Sequence, residues 1–454
     1  MAKVQSGTST LETKLHKEEN TLERSLHTLA KFGGFNFLEG IIKPINNLNP
    51  SRKARRDIFL ADSEKKKERD DLLKTINLWT SLLESCDTPT GMLNKCKAEA
   101  EVSEKTLKKN LRETLKKTRK LETSYRTVAQ FYKNTELDRV SNVVIINGTE
   151  EQMKDLDNPL FIDYIAAELK QNYDRLDLRE NYSILLIPSY LGSNKVIEKW
   201  AKIANENKVM LLTDFLNLDR PDDVVEMFNE ANLTGGELHR SNVIMTCNYL
   251  IGRGKAGEVG EEEDIYLPPS SSLAGKMHMT MMSQVTAGKK HGTMNEVDAV
   301  RFDLKKSEIS YLEKIGLVPM VNEYGKVMAF SAKTLFSGDN IGLQTYSVVR
   351  VFDYVTKVLF DFLNRRAFEN WNSKSEADLR GQIVRWLDSI KGPDKLIEKF
   401  KIMRFEQDAI QKDRIWLDIH ITPYFPAKSF VIKLDGHKGQ DANEWSTEYE
   451  QEGK

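Results

Sequence analysis

The chain has 454 residues, and its 67 lysines and arginines almost balance its 68 aspartates and glutamates. A chain of this length can form two or three domains with a sizeable core. Its near-neutral charge disfavours a nucleic-acid-binding protein, which usually carries a positive excess. No apolar run is long enough to span a bilayer or to act as a signal peptide, and the three cysteines match no zinc spacing. These features predict a cytoplasmic protein with no nucleic acid, no metal and no membrane insertion.

Residues 1–50 are predicted to form an N-terminal arm with docking helices. Within it, residues 10–31 read as a helix in which Leu22, Leu26 and Leu29 form one narrow apolar stripe. A short helix with so little apolar surface is marginal alone. The stripe therefore packs either on the chain's own core or on a neighbouring subunit or remodelling partner.

Residues 51–135 are predicted to form a charged helical hairpin. Its two helices run over Ser63–Glu84 and Thr90–Tyr132 and are joined by a turn that contains Pro89 and Gly91. The second helix has a coiled-coil-like seam of side chains at alternating spacings of four and three, made by Leu107, Leu111, Thr114, Thr118, Leu121, Tyr125, Val128 and Tyr132. Its other faces mix lysines and arginines with glutamates, which favours a solvated surface over a phosphate-binding one.

Residues 136–435 are predicted to form an α/β core with a mixed, partly parallel sheet. Short apolar runs alternate with helical patterns, which is typical of βαβ units. The predicted strands are Val143–Ile146, Ser183–Ile187, Val209–Leu212 and Asn242–Met245. The predicted helices are Phe161–Asn172, Asn194–Asn205, Pro221–Ala231, Arg350–Phe368 and Lys374–Ile390.

The core is predicted to end in a β-hairpin over residues 414–434, followed by a polar tail, residues 436–454. In its first strand, Ile415, Leu417, Ile419 and Ile421 face one way, while Trp416, Asp418 and His420 face the other. Phe430, Ile432 and Leu434 are predicted to lie on the return strand. Such a hairpin has an edge that can recruit a further strand.

Two motifs could be read as a nucleotide-binding or a metal-binding site. Gly252–Gly257 fits G-x-G-x-x-G after a strand, but the acidic run that follows it opens no helix for a pyrophosphate, so a surface loop is favoured. Met277–Met282, which contains His278, could hold a soft metal but is more typical of packing. The pair Asp418 and His420 has no nucleophile beside it. We therefore assign no catalytic, cofactor-binding or metal-binding residue.

The order of motifs from residue 180 to residue 435 resembles the large subunit of the contractile type VI secretion sheath, the TssC/VipB family. The apolar helix Tyr346–Phe368 contributes to the resemblance. The other residues that carry it are Pro268-Pro269-Ser270 with Ala274-Gly275, the series Asp303-Leu304, Gly316 and Lys333-Thr334-Leu335, and the segment Asp418–Phe425.

The resemblance implies a structural role rather than an enzymatic one. Such subunits polymerise with copies of themselves and a small, TssB/VipA-like sheath subunit around an Hcp-like inner tube, on a baseplate. A ClpV-like ATPase recycles the contracted sheath, and terminal arms exchange strands between neighbours. On this basis the predicted partner-binding residues are Leu22, Leu26, Leu29, Trp416, Ile419, Ile421, Phe430 and Ile432.

Three alternatives stay open at this point. The first is the sheath of another, phage-tail-like contractile injection system. The second is a nucleotide-binding α/β enzyme, based on Gly252–Gly257 and the βαβ pattern. The third is a coiled-coil scaffold built on residues 63–132.

Overall fold

The structure is a computed structural model. The chain folds into two compact units, residues 1–113 and 114–454. It describes residues 58–59, 61–140, 142–175, 178–427, 430–437 and 444–451. The predicted N-terminal arm, with Leu22, Leu26 and Leu29, lies outside these ranges. The predicted domain boundaries after residues 50, 135 and 435 stay predictions.

The described part of the first unit consists of two helices joined by a short turn. Helix α1 spans Lys66–Glu84, and helix α2 spans Pro89–Lys133, so that its second half belongs to the other unit. Thr88 ends the turn between them, because its Oγ1 accepts a hydrogen bond of 3.1 Å from the amide of Gly91. Pro89 then occupies the first helical position, where the lack of an amide hydrogen carries no cost.

The second unit alternates helices with short strands. Its helices are α3 (Glu150–Lys154), α4 (Leu160–Tyr173), α5 (Asn194–Glu206), α6 (Pro221–Ala231), α7 (Pro269–Met279), α8 (Gly288–His291), α9 (Lys306–Lys314), α10 (Ile341–Gln344), α11 (Tyr346–Asn364) and α12 (Ser373–Ile390). Its strands are β1 (Ile184–Leu186), β2 (Met210–Asp214), β3 (Val243–Cys247), β4 (Leu250–Arg253), β5 (Ile265–Leu267), β6 (Ala299–Val300), β7 (Leu317–Glu323), β8 (Lys326–Ala329), β9 (Ile397–Gln407), β10 (Ile415–Pro423), β11 (Phe430–His437) and β12 (Glu444–Gln451).

A five-stranded sheet in the order β1-β2-β3-β7-β8 forms the centre of this unit. Its first four strands are parallel, and β8 returns antiparallel to β7. Because side chains alternate along a strand, Leu211 enters the core on the side of α4, α5, α6 and α9, whereas Leu212 enters the core on the side of α7 and the start of α11. The predicted fold class, α/β with a mixed and partly parallel sheet, is confirmed.

One buried carboxylate joins the end of this sheet to α7. Asp214 closes β2 and is fully buried. Its Oδ1 accepts hydrogen bonds from the Ser270 amide (2.8 Å) and from Thr246 Oγ1, and its Oδ2 accepts from Ser270 Oγ (2.6 Å) and the Ser189 amide (2.9 Å). Burial raises the pKa of Asp214, and the hydrogen bonds from Ser270 and Thr246 act against that rise. The Pro268-Pro269-Ser270 turn is therefore fixed to three strand ends at once.

The small residues after that turn have a packing role. Helix α7 passes the end of α2 so closely that a Cβ on Gly275 would collide with the backbone carbonyl of Phe131. One helix turn earlier, Ser272 Oγ donates a 3.1 Å hydrogen bond to Gln130 Oε1. The Ala274-Gly275 pair thus lets two helices approach backbone to backbone.

Two predictions for strands are wrong. Val143–Ile146 forms no strand, and the side chains of Val143, Val144 and Ile145 are exposed. The hairpin over 414–434 does not form either, since β10 pairs with β9, and β11 pairs with β12 in the tail that we predicted to be merely polar. The turn between β9 and β10 favours this pairing, because Asp408 Oδ1 accepts hydrogen bonds from the amides of Ile410 (2.8 Å) and Gln411 (2.9 Å).

We predict that Asp214→Asn lowers the free energy of unfolding by about 2 kcal/mol or more, because an amide offers one acceptor oxygen where the carboxylate offers two, and turns an N–H₂ group towards existing donors. Urea denaturation followed by circular dichroism measures the change. The matched control is Asp219→Asn, whose side chain is 75% exposed and pairs with Arg301; it should change stability by less than about 1 kcal/mol. Equal losses in the two variants contradict the role given to Asp214.

Candidate interaction surfaces

The inner face of the β9–β10 sheet packs on the chain's own helices. Ile419 and Ile421 are partly buried in a core cluster with Val355 of α11 and Ile383 of α12. Two of the predicted partner-binding residues thus contact the chain's own apolar core. A partner strand that extends this sheet reaches them only along its edge.

The outer face of the same sheet displays Trp416, which is 37% exposed. Its indole Nε1 donates a 2.7 Å hydrogen bond to Asp408 Oδ2. The guanidinium groups of Arg404 and Arg414 lie 5.0 and 5.7 Å from its ring centroid, within cation–π range. The ring is therefore held in one orientation on an exposed face, and a rigid aromatic side chain of this kind is suited to anchoring a protein contact.

The C-terminal strands form two small sheets. In the described part of the chain, β9 and β10 make one two-stranded sheet and β11 and β12 make another, and Ile397 at the start of β9 also bridges to Lys391. Phe430 lies opposite Gln451, and Ile432 lies opposite Tyr449, in the register of the second pair. Strands with unpaired backbone groups are templates for the addition of another strand.

The seam predicted on α2 is exposed along most of its length. Leu107, Leu111, Leu121, Tyr125 and Val128 are all exposed, and Leu121 and Tyr125 are each 72% accessible. Within the second unit, other positions on α2 make the polar contacts, among them Glu122, Arg126 and Gln130. The apolar stripe therefore has no covering partner within the described ranges.

Ion pairs hold the Gly252–Gly257 segment in place. Arg253 Nε lies 3.0 Å from Glu122 Oε1 on α2, and Arg253 Nη1 lies 2.8 Å from Glu261 Oε2. Arg119 Nη1 lies 2.9 Å from the other oxygen of Glu261. The ion pair with Arg253 is the main cause that lowers the pKa of Glu261 to about 2.

The same carboxylates occupy the amides that a phosphate needs. The Ala256 amide donates to Glu261 Oε2 (2.9 Å), and the Lys255 amide donates to Asp264 Oδ1 (2.8 Å). Only a three-residue 3₁₀ turn at Gly257–Val259 follows, in place of the helix N-terminus found in dinucleotide sites. Gly252 and Arg253 end strand β4, and only residues 254–256 form a loop before the 3₁₀ turn. This geometry does not resemble a nucleotide site.

The methionine- and histidine-containing segments show packing contacts. Met277, on α7, is fully buried in the core, and His278 Nδ1 lies 2.8 Å from Thr135 Oγ1. Within the described residues, no group of three or more His, Cys, Asp or Glu side chains comes together as in a metal site. No described helix has the length and apolar character needed to cross a bilayer.

Sequence reasoning missed β9 as the partner of β10. Its signal was available, because Phe400 and Ile402 alternate with Lys399 and Lys401, as expected of a half-buried strand. It also missed Asp214, since a single aspartate at a strand end carries no such periodic signal.

We predict that Glu261→Gln lowers the free energy of unfolding at pH 7 by about 2 kcal/mol, because two arginines lose their shared carboxylate. The folded-state pKa of Glu261 is about 2, below its usual 4.5, so its contribution is full above pH 4.5 and is lost as the pH falls towards 2. The difference between wild type and variant, measured by urea denaturation, should shrink over that window.

Glu263→Gln is the matched control for this change. Glu263 is 73% exposed and approaches Arg119 only to 3.9 Å, so its loss should cost less than about 0.5 kcal/mol. A difference between wild type and Glu261→Gln that stays constant from pH 7 to pH 3 contradicts the assignment.

Comparison with known proteins identifies the family. Three family models match in succession: the TssC/VipB-like N-terminal region at residues 22–111, the type VI secretion system TssC/VipB central domain at 113–337, and the TssC/VipB-like C-terminal domain at 345–451. No curated relative has significant similarity to the chain.

Solved structures with a similar fold include the anti-feeding prophage helical sheath in its contracted state (14% identity, TM-score 0.47, 70% of this chain and 82% of that one). They also include the anti-feeding prophage baseplate (15%, 0.46, 67% and 84%) and the sheath tail protein of Desulfitobacterium hafniense (11%, 0.39, 68% and 64%). Because the three family models follow one another along nearly the whole sequence, the chain belongs to the TssC/VipB family, the large subunits of the contractile type VI secretion sheath.

Proposed function

We propose that this chain polymerises in the cytoplasm with a small, TssB/VipA-like sheath subunit into a helical tube around an Hcp-like inner tube. Assembly starts from a baseplate, and contraction drives the inner tube outwards in type VI secretion. The observation that carries the proposal is the succession of TssC/VipB domains from residue 22 to residue 451. The role is mechanical and uses no catalytic group, cofactor or metal.

Strand addition at the C-terminal sheets links neighbouring subunits in this proposal. The unpaired edges of β9–β10 and of β11–β12 support it, because each added strand forms a row of backbone hydrogen bonds. Trp416 on the outer face of β10 and the backbone around Phe430 and Ile432 on β11 are the proposed contacts for a strand or arm from another chain. Many such contacts, each weak, can distinguish an extended from a contracted packing.

The exposed stripe on α2 is the proposed contact for a helix of the small subunit. Its spacing suits helix-on-helix packing. Its leucines and tyrosine would be removed from water on contact, and this burial contributes about 25 cal/mol of binding free energy per Å² of apolar area. A partner helix with apolar residues at the same spacing fits this surface.

We predict that the double substitution Leu121→Glu with Tyr125→Glu weakens binding of the small subunit by at least about tenfold. Both side chains are mostly exposed, so the fold itself should be unaffected. Bio-layer interferometry with the purified small subunit measures the affinity. The control is Lys116→Glu, which places the same charge on an exposed part of α2 away from the stripe. Unchanged affinity of the double variant removes the stripe from the interface.

The arm residues Leu22, Leu26 and Leu29 are proposed as a contact for a ClpV-like recycling ATPase. The helix predicted for residues 10–31 would become available to this partner if contraction rearranges the arms. We predict that replacing all three leucines with alanine abolishes binding of the ATPase to contracted sheaths in a co-sedimentation assay. Replacing Thr21, Arg24 and Thr28 with alanine changes neighbouring positions and should leave binding intact. Equal binding by both triple variants rejects this contact.

A further inference from the structure

A cluster of buried polar side chains on and beside α11 contains atoms that have no hydrogen-bond partner among the described residues. Four of its side-chain atoms are buried without a partner: Thr286 Oγ1, Tyr346 OH, Ser347 Oγ and Arg350 Nη1. Thr286 and Tyr346 are fully inaccessible, Ser347 is 1% exposed and Arg350 is 8% exposed. Buried polar atoms are rarely left unsatisfied, so a group of them indicates a bound species.

The charge of Arg350 is the decisive feature. Its guanidinium forms one hydrogen bond, a 3.1 Å contact from Nη2 to the backbone carbonyl of Met277 on α7. Burial lowers the pKa of Arg350 to about 10, so the group still carries its charge at neutral pH. Among the described residues, no carboxylate forms an ion pair with it. The acid one turn along α11, Asp353, instead accepts a 2.7 Å hydrogen bond from Asn242 Nδ2.

The remaining members of the cluster are hydroxyl donors. Tyr346 and Ser347 precede Arg350 by four and three residues, so their side chains leave the same side of α11. Thr286, in the segment between α7 and α8, lies close enough to the Tyr346 hydroxyl to act on it by hydrogen bonding, although neither hydroxyl has a partner with full hydrogen-bond geometry in the described part of the chain. A guanidinium with three hydroxyls supplies N–H and O–H donors, together with a positive charge. This is the chemistry of an anion site.

We propose that this cluster binds a small monovalent inorganic anion, such as chloride, between Arg350, Tyr346, Ser347 and Thr286. Water could complete the hydrogen bonds, but only an anion also balances the buried cation, which is costly to leave unpaired. Because these atoms are inaccessible at the surface, the side chain of a neighbouring subunit does not reach them. The proposal is independent of the function proposed above.

The location of the site gives the anion a structural effect. Arg350 contacts the last turn of α7, and Thr286 belongs to the segment that follows it. On its other side, α11 contributes Val351 and Val355 to the cluster beneath β9 and β10. A bound anion therefore connects α11, which packs beneath the β9–β10 sheet, to α7, which packs on the central sheet.

Thermal unfolding of the full-length chain in sodium chloride and in sodium gluconate, at equal ionic strength, tests the site. Binding to the folded state alone raises Tm by mass action, and we expect chloride to raise it by about 3 °C or more over gluconate. Arg350→Met should abolish the chloride effect. The control Arg365→Met removes an exposed arginine that pairs with Asp361, and it should keep the effect.

A second measurement covers the case in which Arg350→Met does not fold. The ³⁵Cl NMR line should be broadened by the wild-type chain, sharpened by added bromide, and broadened less by the double variant Thr286→Val with Ser347→Ala. If the wild type shows neither a chloride-specific Tm shift nor line broadening, the cluster holds water only and the proposal is wrong. The proposal also fails if the double variant retains the full broadening.

Discussion

The carboxylate of Asp214 fixes the helix α7 to the ends of three strands, and much of the second unit depends on that connection. Its partners come from the segment after β1, from β3 and from the start of α7. The first turn of α7 is therefore set by the sheet rather than by its own helical propensity. Further along, α7 receives the end of α2 at Gly275 and the guanidinium of Arg350 at its last turn. The Pro-Pro-Ser motif thus has a structural role, in which it holds the start of α7 against the central sheet.

Helix α11 has a comparable role for the C-terminal part of the second unit. Tyr346 and Val349 pack in the core over the central sheet, whereas Val351 and Val355 pack beneath β9 and β10. One helix thus takes part in two cores, and close-packed cores transmit displacement with little deformation. A load on the edge of the β9–β10 sheet would reach the central sheet through side-chain packing, which is suitable for a subunit that works by changing its contacts in a polymer.

Local patterns predicted three of the five strands of the central sheet, β1, β2 and β3, and the helices α4, α5 and α6. Buried parallel strands appear as apolar runs, and α6 begins at Pro221 as its sequence indicates. Pairing was harder to predict. The alternation in Ile415–Pro423 identifies a strand but not its neighbour, and the short turn capped by Asp408 selects β9 over the later return strand. At Val143–Ile146 the predicted strand itself is missing, because an apolar run that has no adjacent strand to pair with stays outside the sheet.

The long-range hydrogen bonds and ion pairs could not be predicted, because the residues that form them are distant in the sequence. Arg253 meets Glu122 across 131 positions, and Asp214 meets Ser270 across 56. No local spacing encodes such contacts. The acidic run after Gly257 predicted a loop over Gly252–Gly257, of which the structure has residues 254–256, after strand β4 and before a 3₁₀ turn. The structure adds the physical reason, since those acids pair with Arg253 and Arg119 and occupy the loop's amides.

Negative-stain electron microscopy of the chain co-expressed with the product of a neighbouring small sheath gene tests the central claim most directly. The account predicts long hollow tubes that contain both proteins and show a regular helical surface. Dispersed globular particles from a well-folded, co-purified pair would contradict it.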